Sequence, residues 1–232
     1  MFLNDIYEQL ATGELSQHKY GKSGAILPAD YPALVSHINL ALMELHKKFP
    51  INLKELQISQ QSIINLYPLH SMYAVSTGAN GATKYIIDTV EAPFLDDLIR
   101  IDAVYDDNGT LVPLNDESQV NSVFMAGYDT IQIPYAVDTA NLFVLYRAEH
   151  ERIFSTSDPL TTEVFLPSSL LEALMCYVAA RCFSALNSPT SNATSSFYFG
   201  KFKMMCDEIT DENILNEAYI TNNSKLFSKG FV

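Results

Sequence analysis

The sequence predicts an α+β protein: an antiparallel α-helical bundle with an inserted β-rich, sandwich-like region and an extended carboxy-terminal tail. Two observations predict the two classes of element. Apolar residues recur at helical spacing near both ends of the chain, and between them run short extended segments punctuated by turn residues. A third predicts the tail, because apolar residues become sparse after the last helical segment. These shifts divide the 232 residues into amino-terminal helices over 1–50, a β-rich insert over 51–160, a helical pair over 161–215 that completes the bundle, and a tail over 216–232.

Phe2, Leu3, Ile6, Tyr7 and Leu10 form one narrow apolar stripe and predict a short first helix. The stretch from Thr12 to Ala25 mixes Gly13, Gly21 and Gly24 with serine and histidine and reads as a loop. Asp30 is placed to cap the next helix, and Pro32 falls in its first turn, where a missing N–H costs little. Leu34, Val35, Ile38, Leu42 and Leu45 give that helix its buried face, and it ends near Phe49-Pro50.

From Ile51 to about Phe154 the segments LKELQIS, SIINLY, MYAVST, LIRIDAVYD, TLVPL, TIQIPY and NLFVLYRAE then read as strands. Asp107-Asn108-Gly109 tolerates positive φ and predicts a hairpin between Ile99–Tyr105 and Thr110–Leu114. Pro113 and Pro134 argue for sheet edges or strand ends. Phe94, Leu95, Leu98 and Ile99 leave room for a helical turn before the hairpin. Helix returns at Pro167, where Ser169 and Glu172 have capping-box spacing, and Leu170, Leu171, Leu174, Met175, Val178, Cys182 and Leu186 make an apolar face. A polar loop NSPTSNAT and a second helix bearing Phe199, Phe202, Met205, Cys206 and Ile209 follow, a connection short enough to pack the pair antiparallel.

Composition narrows function. With 27 acidic and 14 basic residues the net charge is -13, which opposes the phosphate attraction on which conventional DNA-binding modules depend. An acidic wall lets a polyanion slide past without sticking. The amino terminus lacks a basic, then apolar leader, and no eighteen-residue apolar run occurs, so neither export by signal peptide nor a membrane span is expected. Cys176, Cys182 and Cys206 are odd in number and lie in apolar helical contexts, which predicts free thiols in a reducing cytosol.

Motifs for chemistry are incomplete. Gly21-Lys22-Ser23 lacks the earlier glycine of a phosphate loop, since Ser16 stands there. Asp106-Asp107-Asn108-Gly109 lacks the acids an EF-hand needs at Val104 and Asn115. His18, His37, His46, His70 and His150 are scattered, and Cys176 and Cys182 lie six apart, so no metal site is expected and the cysteines read as buried small hydrophobes. His46 reads as a partner of its helix's C-terminal dipole, with Lys47 and Lys48. Phe197, Tyr198 and Phe199 with Lys201, Phe202 and Lys203 have the spacing of a helix with rings inside and lysines outside. Asp96, Asp97, Asp102, Asp106 and Asp107, the densest carboxylates, read as a solvated sheet edge. Without a complete set of catalytic roles, no enzymatic activity and no cofactor are expected.

The segment from Leu166 to Asn187, with its Leu-Pro, Glu-Ala-Leu, Tyr-Val-Ala, Arg and Leu-Asn phrases, resembles the carboxy-terminal helix of head-to-tail adaptor (connector) proteins of tailed bacteriophages. Tyr198, Phe202, Cys206 and Ile209 match the helix that follows in that family. The helix from Asp30 to Phe49 and the phrase Leu142–Ala148 look like the podophage version, so the likeness runs from about Asp30 to Ile209. The resemblance implies a structural virion protein of the neck. Such a protein is made in the bacterial cytoplasm, joins the portal as a commonly dodecameric ring, contacts a tail or nozzle protein, and lines the channel through which genomic DNA leaves without sequence-specific binding. It also implies that the tail docks on the portal through Tyr219, Ile220, Leu226, Phe227 and Phe231. The hairpin tip at Asp106, Asp107, Asn108, Gly109 and Thr110 is expected to touch a neighbouring subunit or a tail protein. The extra amino-terminal helix and larger β insert depart from shorter adaptors. Another neck or tail-completion protein is the alternative from the same elements, and an enzyme with a hidden site is the alternative from another class.

Overall fold

A computed structural model describes residues 1–77 and 83–215. It is α+β, with helices and antiparallel sheets in two compact units, one comprising Met1–Ile51 and residues 150–215, the other Asn52–Glu149. The chain thus leaves the helical unit at 51 and returns at His150, earlier than 161. Among the described residues no helix is long and apolar enough to cross a membrane.

The helical unit contains α1 (Leu3–Thr12), α2 (Tyr31–Lys48), α3 (Leu171–Ser184) and α4 (Pro189–Asp211). Its core is the predicted stripe made real: Leu34, Ile38, Leu42 and Leu45 of α2 are fully buried with Leu3, Ile6 and Leu10 of α1 and Leu174 and Val178 of α3. Each such side chain contributes on the order of 1.5–3 kcal/mol by leaving water. Along α3 and α4 the contacts run in opposite senses: the Ser195 hydroxyl donates to the Ala180 carbonyl at 2.8 Å and Lys201 bonds Glu172 at 2.6 Å, so the pair is antiparallel. The returning segment is tied in by Asn39, whose amide donates to Ile153 O at 2.8 Å and accepts from Ile153 N at 3.0 Å. It then passes the amino terminus, where Leu3 N donates to Thr162 O and Val164 N to Met1 O.

The helix entrances differ from the sequence expectation. Asp30 is the N-cap of α2 with Pro32 in the first turn, but its side chain makes no capping bond. The expected Ser169–Glu172 capping box is absent too, because Ser168–Leu170 forms a 3-10 turn and α3 begins only at Leu171. The side-chain cap sits at Ser188, whose hydroxyl accepts from Ser191 N, with Pro189 at the first helical position. Most of the expected NSPTSNAT loop is therefore the first turns of α4. On α4, Phe202, Cys206 and Ile209 are buried as expected, whereas Phe199 is exposed.

The β unit holds two antiparallel sheets. Strands β1 (Leu53–Ser59), β3 (Ile86–Ile87), β4 (Leu98–Asp106) and β7 (Asn141–Ala148) make one in the order β3-β1-β7-β4. Strands β2 (Leu66–Pro68), β5 (Phe124–Gly127) and β6 (Thr130–Gln132) make the other in the order β2-β6-β5. Both feed one core: Ile58, Val104 and Val144 from the first sheet meet Tyr67 and Ile131 from the second. β7 is central, and its inward face alternates as a half-buried strand should, with Leu142, Val144 and Tyr146 buried.

Two of the seven expected strands form at full length, LKELQIS and LIRIDAVYD, and NLFVLYRAE forms one over all but Glu149. In SIINLY only Leu66 and Tyr67 pair, as the start of a strand that runs on to Pro68, and MYAVST is a 3-10 turn followed by one bridge. TLVPL makes only bridges, and TIQIPY pairs over Thr130–Gln132. No helical turn precedes β4; Asp96 there has φ 57°, which ends any helical path.

Candidate functional site

The turn at the end of β4 follows the chemistry of its residues. Asp106 Oδ1 accepts from Asn108 N at 2.9 Å and from Thr110 N at 2.8 Å, the local bonding that makes aspartate a turn former. Gly109 has φ +72°, a conformation side chains resist. The turn is therefore the predicted one. Its second arm is not a strand: beyond the bridge Tyr105↔Leu111 and the bond from Val112 N to Val104 O, the chain turns away through Pro113, which has no N–H to donate.

Asp107 reaches out of the turn and accepts from both the backbone N–H (2.8 Å) and the side-chain amide (2.9 Å) of Asn141. Those two bonds, backbone first, hold its carboxyl below the usual carboxylate range. A second clasp lies next to it. Asp138 accepts from the backbone N–H and the hydroxyl of Ser62, which lowers its pKa in the same way. Gln60 joins the same two loops, its Oε1 accepting from Val137 N at 3.0 Å and its N–H donating to Ala140 O at 2.8 Å. The loop after the turn is fixed by the Ser122 hydroxyl on Pro113 O at 3.0 Å and by Asn115 Oδ1, which accepts from Met125 N at 2.8 Å. Of the predicted site, the structure thus brings Asp106, Asp107, Asn108, Gly109 and Thr110 together with loops 60–65 and 133–141. Tyr219, Ile220, Leu226, Phe227 and Phe231 lie outside the described residues.

Sequence reasoning missed Ser62, Asp138 and Asn141. Asp138-Thr139 is a turn signal, but the apolar letters on either side point to strand. It also missed the exposed Ile63, Tyr135 and Val137, because SIINLY and TIQIPY look like strands whose apolar residues face inward.

The carboxylates read as a solvated edge do lie on and beside β4, the outer strand of its sheet, with Asp96 and Asp107 exposed, but each also has a bonding partner. Asp96 accepts from Ser71, Asp97 pairs with Lys54 and accepts from Tyr146 Oη at 3.1 Å, and Asp102 pairs with Arg147 at 2.7 Å and Arg100 at 3.1 Å. The Asp102 side chain is only 7% exposed, at a register shift of β4 between Ile101 and Ala103. Such a bulge re-aims a side chain.

Gly21 of the partial phosphate motif has a steric role: a Cβ there would meet Leu15 O at 2.3 Å. The cysteines are free and buried, and burial pushes the thiols of Cys176 and Cys206 up to about 11 and of Cys182 up to about 12, where they are inert. His18 is buried against Phe183, its Nδ1 accepting from Tyr20 N at 3.3 Å. Burial, then the Lys19 charge, lowers its pKa against smaller opposing pulls from the Cys182 carbonyl and Asp30. Burial and Arg181 do the same to His37. His46 packs edge-on to His150. Among the described residues no group of three or more histidine, cysteine or acidic side chains is arranged to hold a metal ion.

No protein-family model matches the chain, and no curated protein matches it.

Proposed function

We propose that this chain is a structural virion protein, the head-to-tail adaptor that joins the portal to the tail and forms part of the DNA exit channel. The observation that carries the reading is where the family-like residues fall. Leu166–Asn187 forms the entrance, length and exit of α3, and Tyr198, Phe202, Cys206 and Ile209 lie on α4, which packs antiparallel on it. The β unit is spliced between α2 and α3, and the tail follows α4, the order expected of an adaptor. In this reading the carboxy-terminal residues Tyr219, Ile220, Leu226, Phe227 and Phe231 dock on the portal as apolar anchors, and the turn Asp106–Thr110 meets a neighbouring subunit or tail protein. The net charge of -13 suits a channel wall past which DNA slides.

The test is affinity isolation of the tagged full chain from producing cells, with partners identified by mass. Recovery of a large portal protein supports the adaptor; recovery of tail-tube proteins alone points to a tail-completion protein, and a lone monomer overturns both. Deleting residues 216–232 is expected to abolish portal recovery while leaving the helical unit folded. Unchanged recovery would reject the docking role of the tail.

A further inference from the structure

One end of the β unit combines interlaced loops with exposed apolar side chains. Loops 60–65, 106–123 and 133–141 leave the strand ends there and are laced together by the Asp107–Asn141 and Asp138–Ser62 clasps and by Gln60. On this fixed frame stand large apolar side chains with almost no cover: Ile63 is 89% exposed, Val120 79%, Tyr135 71% and Val137 63%. Apolar side chains on a hydrogen-bonded frame lose little conformational freedom when they bind, and that is how interface anchors are built.

The charge of the same loops selects the partner. They contain five acidic residues, Asp106, Asp107, Asp116, Glu117 and Asp138, and not one lysine, arginine or histidine. The cations Lys54, Arg100 and Arg147 belong to the opposite ends of β1, β4 and β7, paired with Asp97 and Asp102, while Lys84, whose carbonyl accepts from the Gln61 amide beside these loops, turns its ammonium to Met72 O and Thr77 Oγ1. A surface with a net charge of this sign repels nucleic acid, anionic lipid and an identical end of a second copy. It attracts a basic protein surface over roughly a Debye length, about 8 Å at physiological salt.

We propose that this end of the β unit is a protein-docking surface whose partner is a basic face with apolar pockets that receive Ile63, Tyr135 and Val137. The proposal does not rest on the adaptor reading. The apolar knobs govern how long the complex lasts, and the acids govern how fast it forms.

The probe is a synthetic amphipathic helical peptide with leucine on one face and lysine on the other, added to the full chain and followed by hydrogen exchange; its leucine–glutamate counterpart is the control. Protection by the lysine peptide is expected in 60–65, 106–123 and 133–141, with little from the glutamate peptide. The combined change Ile63→Ser, Tyr135→Ser and Val137→Ser is expected to weaken binding at least about tenfold, the order expected for losing interface anchors. Should that variant misfold, Glu117→Lys alone is expected to slow association a few fold at low salt, as rim charges do. Protection confined to other segments, equal protection by the glutamate peptide, or dimerisation of the chain through these loops would overturn the proposal.

Discussion

The two units use the same acidic composition in opposite ways. In the helical unit the core is bought by apolar periodicity, its buried polar groups include His18, whose pKa burial lowers, and its acids lie outside it. In the β unit the strands are short, and aspartates hold the loops: Asp88, Asp96, Asp107 and Asp138 each accept a backbone N–H together with a side-chain donor. Packing stabilises the first, while the second adds to its own apolar core a few charged acceptors at fixed places. The units should therefore fail under different insults.

The largest separation is expected from Leu42→Ala. Leu42 is fully buried, and a cavity there should cost the helical unit about 3 kcal/mol while amide exchange in β1, β4 and β7 stays unchanged. Loss of protection in both units together would mean that they fold as one.

Acid should separate them next. His18 and His37 have folded-state pKa values below the ordinary one, so the unfolded chain takes up protons first. Their contribution is complete above about pH 6.5 and declines as pH falls below it. The clasp carboxylates behave otherwise. Burial pushes Asp88 up, but the Ser76 hydroxyl and the Phe94 and Ser76 N–H groups outweigh that and hold it below the usual range. Its contribution persists above the ordinary aspartate value of about 3.9 and is lost only as pH falls through the lower folded value. Exchange at pH 5 is expected to quicken in α1 to α4 before the β unit changes; the reverse order would break the comparison.

Smaller effects sharpen it. Ser188→Ala removes the side-chain cap of α4 and should cost about 1 kcal/mol, seen as fraying of the first turn. Gly109→Ala forces a side chain into φ +72° and should cost about 1 kcal/mol in the β unit. Asp138→Asn keeps the shape of the clasp and removes its charge. Faster exchange at Ser62 N with an unchanged melting temperature is expected, and unchanged exchange would show that the clasp does not order the loop.

The same contrast explains what was legible in the sequence. α2 is written in Leu34, Ile38, Leu42 and Leu45, because packing on one face demands a period, and β7 is written in its alternation. The caps were not, since Ser169 and Glu172 have the right letters while the 3-10 turn at Ser168–Leu170 displaces the helix start. Nor were the loops. Ile63 and Tyr135 carry a strand-like signal yet face solvent, and Asp138 finds Ser62 far away in sequence, a pairing that no local pattern encodes. β3 and β5 escaped because two to four residues do not establish a period. At the candidate site the turn was legible through Asp106 and Gly109, while the loops that complete it come from distant segments.

The most direct test of the adaptor proposal is imaging of the complex recovered on the tagged full chain, averaged for symmetry. A ring of this chain seated on a portal ring is expected, with loops 60–65, 106–123 and 133–141 covered by a protein neighbour. A complex without the portal, or a ring in which those loops face open solvent, would contradict it.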